Sequence, residues 1–87
     1  MSRYVYRRDV LDALLEHGVV PTEHTSPELA RAFVRDLYRY ELKRLREQLL
    51  RKEFPKTEYA NRVIELRNRY PVLSLRAQQW LTTSFTH

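Results

Sequence analysis

The chain has 87 residues, with 16 Lys and Arg against 11 Asp and Glu for a net charge of +5, and it contains no cysteine. The lack of cysteine excludes a disulfide framework, thiolate catalysis and a Cys-ligated zinc site, and is compatible with a reducing compartment. One glycine, four prolines and 43% hydrophobic residues argue against a turn-rich β fold and against a disordered chain, leaving one small all-α domain near the lower size limit for unaided folding.

The opening stretch MSRYVYRRDV lacks the apolar core of a secretory signal, and no apolar run approaches the ~20 residues of a membrane span. A cytoplasmic setting is the resulting expectation. The first helix is placed at about residues 4–17, starting at Tyr4 or at Arg8, because Val10, Leu11, Leu14 and Leu15 recur at three-and-four spacing. Gly18 stands where a left-handed residue closes such a helix, with Val19 folding back on Leu14 as a Schellman motif requires. Asp9 and Asp12 suit the positive end of the helix dipole.

The connector VVPTEHTSP leads to Ser26 as N-cap and Pro27 as first helical residue of a long second helix, about 27–52. It is too long for the three- or four-residue turn of a DNA-reading helix-turn-helix. Within the second helix, Leu29, Phe33, Val34 and Leu37 mark one apolar direction. Leu42, Leu45 and Leu49, led in by Tyr38, mark another, rotated by roughly 120°. That swing predicts a central helix whose N-terminal half docks the first helix and whose C-terminal half docks the third. Pro55 ends it. The third helix is expected over about 57–69, capped by Thr57 and buried through Tyr59, Ala60, Val63, Ile64 and Leu66. A short fourth helix, about 75–82, starts at Ser74, and the TTSFTH end is expected to fray. Leu11, Leu15, Val20 and Pro21 are echoed 34 residues later by Leu45, Leu49, Phe54 and Pro55, which is read as coincidence because a true repeat array needs more units.

The segment LREQLLRKEFPKTEYANRVIEL, residues 45–66, resembles the SHOCT short C-terminal domain. In that helical hairpin a leucine-rich helix, a tight turn, an acidic residue with an aromatic, and a second helix follow in order. Leu49-Leu50, Glu58-Tyr59 and Leu66 occupy those places, whereas Lys52-Glu53 stands where the family has a glycine and the turn is one residue short. The resemblance implies a non-catalytic docking or oligomerising element. Leu37-Tyr38-Arg39 also spells the tripeptide of the LYR family, small basic helical proteins that accompany mitochondrial assemblies. There it lies near the start of the first helix; here it is midway along the second.

No catalytic constellation is visible. His17 and His24, beside Glu16 and Glu23, do not have a ligand spacing and are read as surface or capping residues. Ser26 and Ser74 lie in cap contexts rather than a nucleophile elbow, and there is no glycine-rich nucleotide loop. Neither an enzyme, nor a cofactor, nor a bound metal, nor a small-molecule substrate is expected. What remains is binding. Arg31, Arg35, Arg39, Lys43 and Arg46 form one stripe along the second helix, fit to follow a phosphate backbone. The competing reading is a solvated face, since Glu28–Arg31, Asp36–Arg39, Glu41–Arg44 and Glu47–Arg51 are spaced for helical ion pairs that cancel field. Arg35, Lys43 and Arg46 are the least compensated, and Arg3, Arg7 and Arg8 would add to them if the first helix lay alongside. Tyr59 and Tyr70 are assigned to the core or its edge. Tyr4, Tyr6, Tyr40 and Trp80 are candidate partner-facing aromatics. The leading expectation is a helical protein–protein interaction module, self-associating or bound to another protein. Sequence-tolerant RNA or DNA binding through the stripe is the alternative, and a membrane partner is disfavoured because the apolar faces are needed for the core.

Overall fold

The computed structural model describes residues 3–82. Among them are three α-helices: α1, Arg8–Leu15; α2, Pro27–Leu50; and α3, Tyr59–Asn68. The architecture is all-α, arranged around the long second helix. Two short 3-10 segments, Pro71–Ser74 and Ala77–Trp80, replace the expected fourth α-helix. Ser74 closes the first of them, its hydroxyl donating to the Pro71 carbonyl at 2.7 Å, rather than capping a helix. Residues 3–7 are extended rather than helical. Tyr6 forms an antiparallel bridge with Leu81, the Arg7 N–H donates to the Trp80 carbonyl at 2.9 Å, and the Thr82 N–H donates to Val5 at 2.8 Å. The rest of the TTSFTH end lies outside the described residues.

Local chemistry accounts for the helix ends. Ser26 accepts from the Leu29 N–H at 3.2 Å with Pro27 in the first turn, as N-cap rules require. After α1, Gly18 has φ 75°, and the N–H groups of Val19 and Gly18 donate to Leu14 and Leu15 at 2.9 Å each, which is the Schellman closure. After α2 the same closure recurs with Lys52 at φ 60°, where Glu53 and Lys52 donate to Gln48 and Leu49 at 3.0 Å. Gly18 and Lys52 are 34 residues apart, so the sequence echo marks one capping geometry used twice. Thr57 caps nothing: a 3-10 turn, Lys56–Glu58, leads directly into α3 without a side-chain cap.

The core is built on Trp80, which is 0% exposed, together with Tyr6, Val10, Leu14, Val19, Ala30, Val34, Leu66, Tyr70 and Val72. The Trp80 indole N–H donates to Val72 at 3.0 Å. Residues 3–7 and 71–82 converge here, and this corrects the expected docking of the N-terminal half of α2. The N-terminal half of α2 packs against the 3-10 segments, α1 lies chiefly against Pro71–Ser74, and the C-terminal half of α2 packs against α3. Nor does the buried face of α2 swing. Pro27, Ala30 and Val34 are buried, and Leu37, Glu41 and Leu45 continue the same line half-buried, whereas Leu29 (65% exposed) and Phe33 (54%) face outwards. Ala30 and Val34 share one buried cluster with the indole of Trp80. On α1, Leu15 is likewise exposed, and on α3 Ala60 and Ile64 are exposed while Tyr59 and Val63 are half-covered.

The molecule is a rod of 54 × 19 × 17 Å with a radius of gyration of 15.9 Å, against ~12 Å for a compact chain of this length. Beyond the Trp80 core, its far end is the α2–α3 hairpin alone.

Candidate anion-binding face

A helix of 24 residues is about 36 Å long, and steps of three and four return to one side of it. With Ala30, Val34 and Leu45 turned inwards, that periodicity puts Arg35, Arg39, Lys43 and Arg46 on the outer side, and all four are exposed. From Arg35 to Arg46 the stripe rises about 16 Å.

Arg31 leaves the stripe. Its Nε donates to the Leu75 carbonyl and its Nη2 to the Leu73 carbonyl, both at 2.8 Å. Those bonds clamp the C-terminal segment onto α2 and use the guanidinium structurally. The N-terminal arginines do not extend the stripe either. Arg3 pairs with Glu23 at 3.4 Å, Arg8 with Asp12 at 3.7 Å, and Arg7 with Asp9 at 2.6 Å. Arg7 also reaches the Gln79 carbonyl at 3.0 Å, and its hydrogen bonds hold the Asp9 carboxyl below the usual carboxylate range.

Of the four helical ion pairs spaced to neutralise α2, only Glu47–Arg51, at 3.8 Å, forms among the described residues. Glu41 is taken instead by Arg69 at 3.4 Å and by the Tyr70 hydroxyl. Among the described residues no carboxylate lies within ion-pair distance of Arg35, Arg39, Lys43 or Arg46. Glu28 bounds the stripe one end away and Asp36 flanks it; both are exposed.

Two grooves run beside the α2–α3 seam. One, of about 490 Å³, is lined by Arg44, Arg62 and Arg69 together with Glu41 and Glu65, and is mixed in sign, with Arg69 and Arg62 already paired to Glu41 and Glu58. The other, of about 240 Å³, is lined by Arg39, Leu42, Lys43, Arg46 and Tyr59. It has three cations, two apolar side chains and no carboxylate. The first groove neutralises itself; the second projects positive field.

The candidate aromatics separate. Trp80 and Tyr6 are not partner-facing: both are buried, and the Tyr6 hydroxyl donates to the Thr25 carbonyl at 2.6 Å. Tyr4 is half-buried against the core. Tyr40 alone of the four is fully outward, 61% exposed. Tyr70 is buried as expected, stacked on His17 with ring centroids 4.1 Å apart and edge-on to Tyr38. His17 is therefore a packing residue, its Nε2 2.7 Å from the Arg69 carbonyl oxygen, while His24 stays at the surface beside Glu23. The residue that sequence spacing missed is Tyr59, which reaches the cationic groove from α3. Nothing local marks it, because its neighbours there come from another helix.

Among the described residues no cluster of His, Asp or Glu is placed to hold a metal ion, and no helix is long and apolar enough to cross a membrane. No family model, curated protein or solved structure matches the chain.

Proposed function

We propose that this protein is a non-enzymatic binding module that holds RNA or DNA by its backbone, with little sequence preference, along Arg35, Arg39, Lys43 and Arg46. One observation carries the reading: four exposed cations share a side of one unbroken helix, and among the described residues none of them has an acidic partner at ion-pair distance. A phosphate backbone is the natural ligand for such a surface, because the protein's cations displace the counterions condensed on it. The test is titration of mixed-sequence RNA and DNA over a range of salt. With four phosphates neutralised, log affinity falls against log salt with a slope of about −2.8 for a single strand and −3.6 for a duplex. Arg39→Glu with Lys43→Glu abolishes binding, while these exposed changes leave stability within about 0.5 kcal/mol. Absence of binding at the lowest salt ends the reading.

Protein docking is the second reading, supported by the exposed apolar side chains of α2. Tyr6 and Trp80 are consumed by the core, but Leu29, Phe33 and Tyr40 follow one another along α2 at 65%, 54% and 61% exposure. The occupant this face favours is a second copy: antiparallel pairing of two α2 helices in the register that sets Phe33 opposite Tyr40 of the other copy buries the two exposed rings against each other. Light scattering decides it. A strict monomer at high concentration removes this reading, and a dimer abolished by Phe33→Arg supports it.

A further inference from the structure

A row of cations grips single strands and duplexes alike, so the stripe alone does not choose between them. The smaller groove adds something that phosphate contacts do not require. Tyr59 stands at the first position of α3, and the hairpin turn before it is pinned by buried Phe54, over which the Arg62 guanidinium lies 4.2 Å from the ring centroid. The Tyr59 ring is thus carried by a helix rather than by a loose loop. It is half-exposed, and among the described residues it has no aromatic partner and no cation seated over its face. Tyr70, by contrast, has its ring and its hydroxyl both engaged.

Beside Tyr59 lies Leu42, and around the two are Arg39, Lys43 and Arg46. The complementary ligand presents a flat apolar face between anionic groups. A single-stranded nucleic acid does so, since its bases are free to leave the stack; a duplex keeps those faces inside its own stack. The groove, about 240 Å³, is below the ~300–1,000 Å³ of clefts that enclose drug-sized ligands. That size suits one base better than a whole cofactor. We propose that the protein prefers single strands to duplexes, with one base stacked on Tyr59 while Arg39, Lys43 and Arg46 hold the phosphates on either side. This rests on the nucleic-acid reading above. An acidic protein segment with an apolar residue between carboxylates is the rival occupant.

The full chain is titrated with a short mixed-sequence single strand, with the duplex of the same length, and with polyglutamate. Tighter binding of the single strand is expected. Tyr59→Ala weakens that binding by about 5- to 150-fold, the range for losing one base–aromatic stack, with the salt slope unchanged; Tyr59→Phe retains it. A bromouridine-containing strand, irradiated on the wild-type protein, crosslinks at Tyr59, a readout that does not depend on how well the alanine variant folds. If duplex binds as tightly as single strand and no crosslink forms at Tyr59, the stacking proposal is overturned while backbone binding stands. If neither nucleic acid binds at low salt, both fall. Binding of polyglutamate alone overturns both in favour of an acidic partner.

Discussion

The two ends of the rod share one helix and differ in what covers it. At the N-terminal half of α2, the extended residues 3–7, α1 and both 3-10 segments close around Trp80, which is fully buried. At the C-terminal half only α3 is present, and Leu42, Leu45 and Leu49 remain half-exposed. The first end is bound across long sequence distances, with Arg7 and Arg31 reaching carbonyls 72 and 44 residues away. The second is a local hairpin. Stability is thus concentrated at one end and free surface at the other, where the cations of the candidate site stand. A ligand seated across α2 and Tyr59 would cover part of what α3 leaves open.

The largest effect separating the two ends is expected at Trp80. Trp80→Ala costs about 3–5 kcal/mol, a large share of the ~5–15 kcal/mol that holds a small domain together. Leu42→Ala on the hairpin costs about 1 kcal/mol, because its side chain is already partly in water. Urea midpoints of the two variants measure the contrast, and equal losses would break it.

Arg31 and Arg39 test the same division within the arginines. Arg31→Met leaves two backbone carbonyls without their charged donor and costs about 2 kcal/mol, whereas Arg39→Met changes stability by less than ~0.5 kcal/mol. The first variant should bind nucleic acid unchanged wherever it is folded; the second should not.

The paired helix caps give a smaller effect of opposite sign at the two ends. Gly18→Ala loses about 1 kcal/mol from backbone conformation alone, since a Cβ there meets nothing within 4 Å. Lys52→Gly relieves the same left-handed strain and gains up to about 1 kcal/mol. Thermal or urea denaturation reads both shifts.

A separate effect, read by pH rather than by substitution, is in alkali and belongs to the Trp80 end and its junction with α3. Burial, then the charges of Glu28 and Tyr4, push the Tyr6 hydroxyl up to about 12. Burial, then the hydrogen bond and charge of Glu41, push Tyr70 up to about 12. An unfolded tyrosine ionises near 10, so between about 10 and 12 the unfolded chain holds fewer protons than the folded one. The stability these two hydroxyls contribute is therefore complete below about pH 10 and is lost as pH rises towards 12. A urea midpoint that falls across that window, with a shallower slope in Tyr70→Phe, is the expected outcome; a flat midpoint contradicts it.

Legibility in the sequence followed distance along the chain. Ser26, Pro27 and Gly18 announced their helix ends because capping involves groups within about five residues. The outward position of Arg35, Arg39, Lys43 and Arg46 was legible for the same reason, as helical period alone sets their side. The bulk of Leu29 and Phe33 suggests burial, yet both are exposed, and it is Ala30 and Val34 that are buried in one cluster with Trp80. Arg31 could not be told from its neighbours in the stripe, since its carbonyl partners are 42 and 44 residues away.

By itself, then, the sequence determined the all-α class, the long second helix, its capped start and the side on which its cations lie. These are consequences of short-range hydrogen bonding and of a period of 3.6 residues. Tertiary structure alone decided that Trp80 and Tyr6 are core, that Arg31 is a clamp and that Tyr59 faces a groove of unpaired charge. Each of those depends on which segments meet, and that is set by how large and small side chains fit across long gaps in the chain.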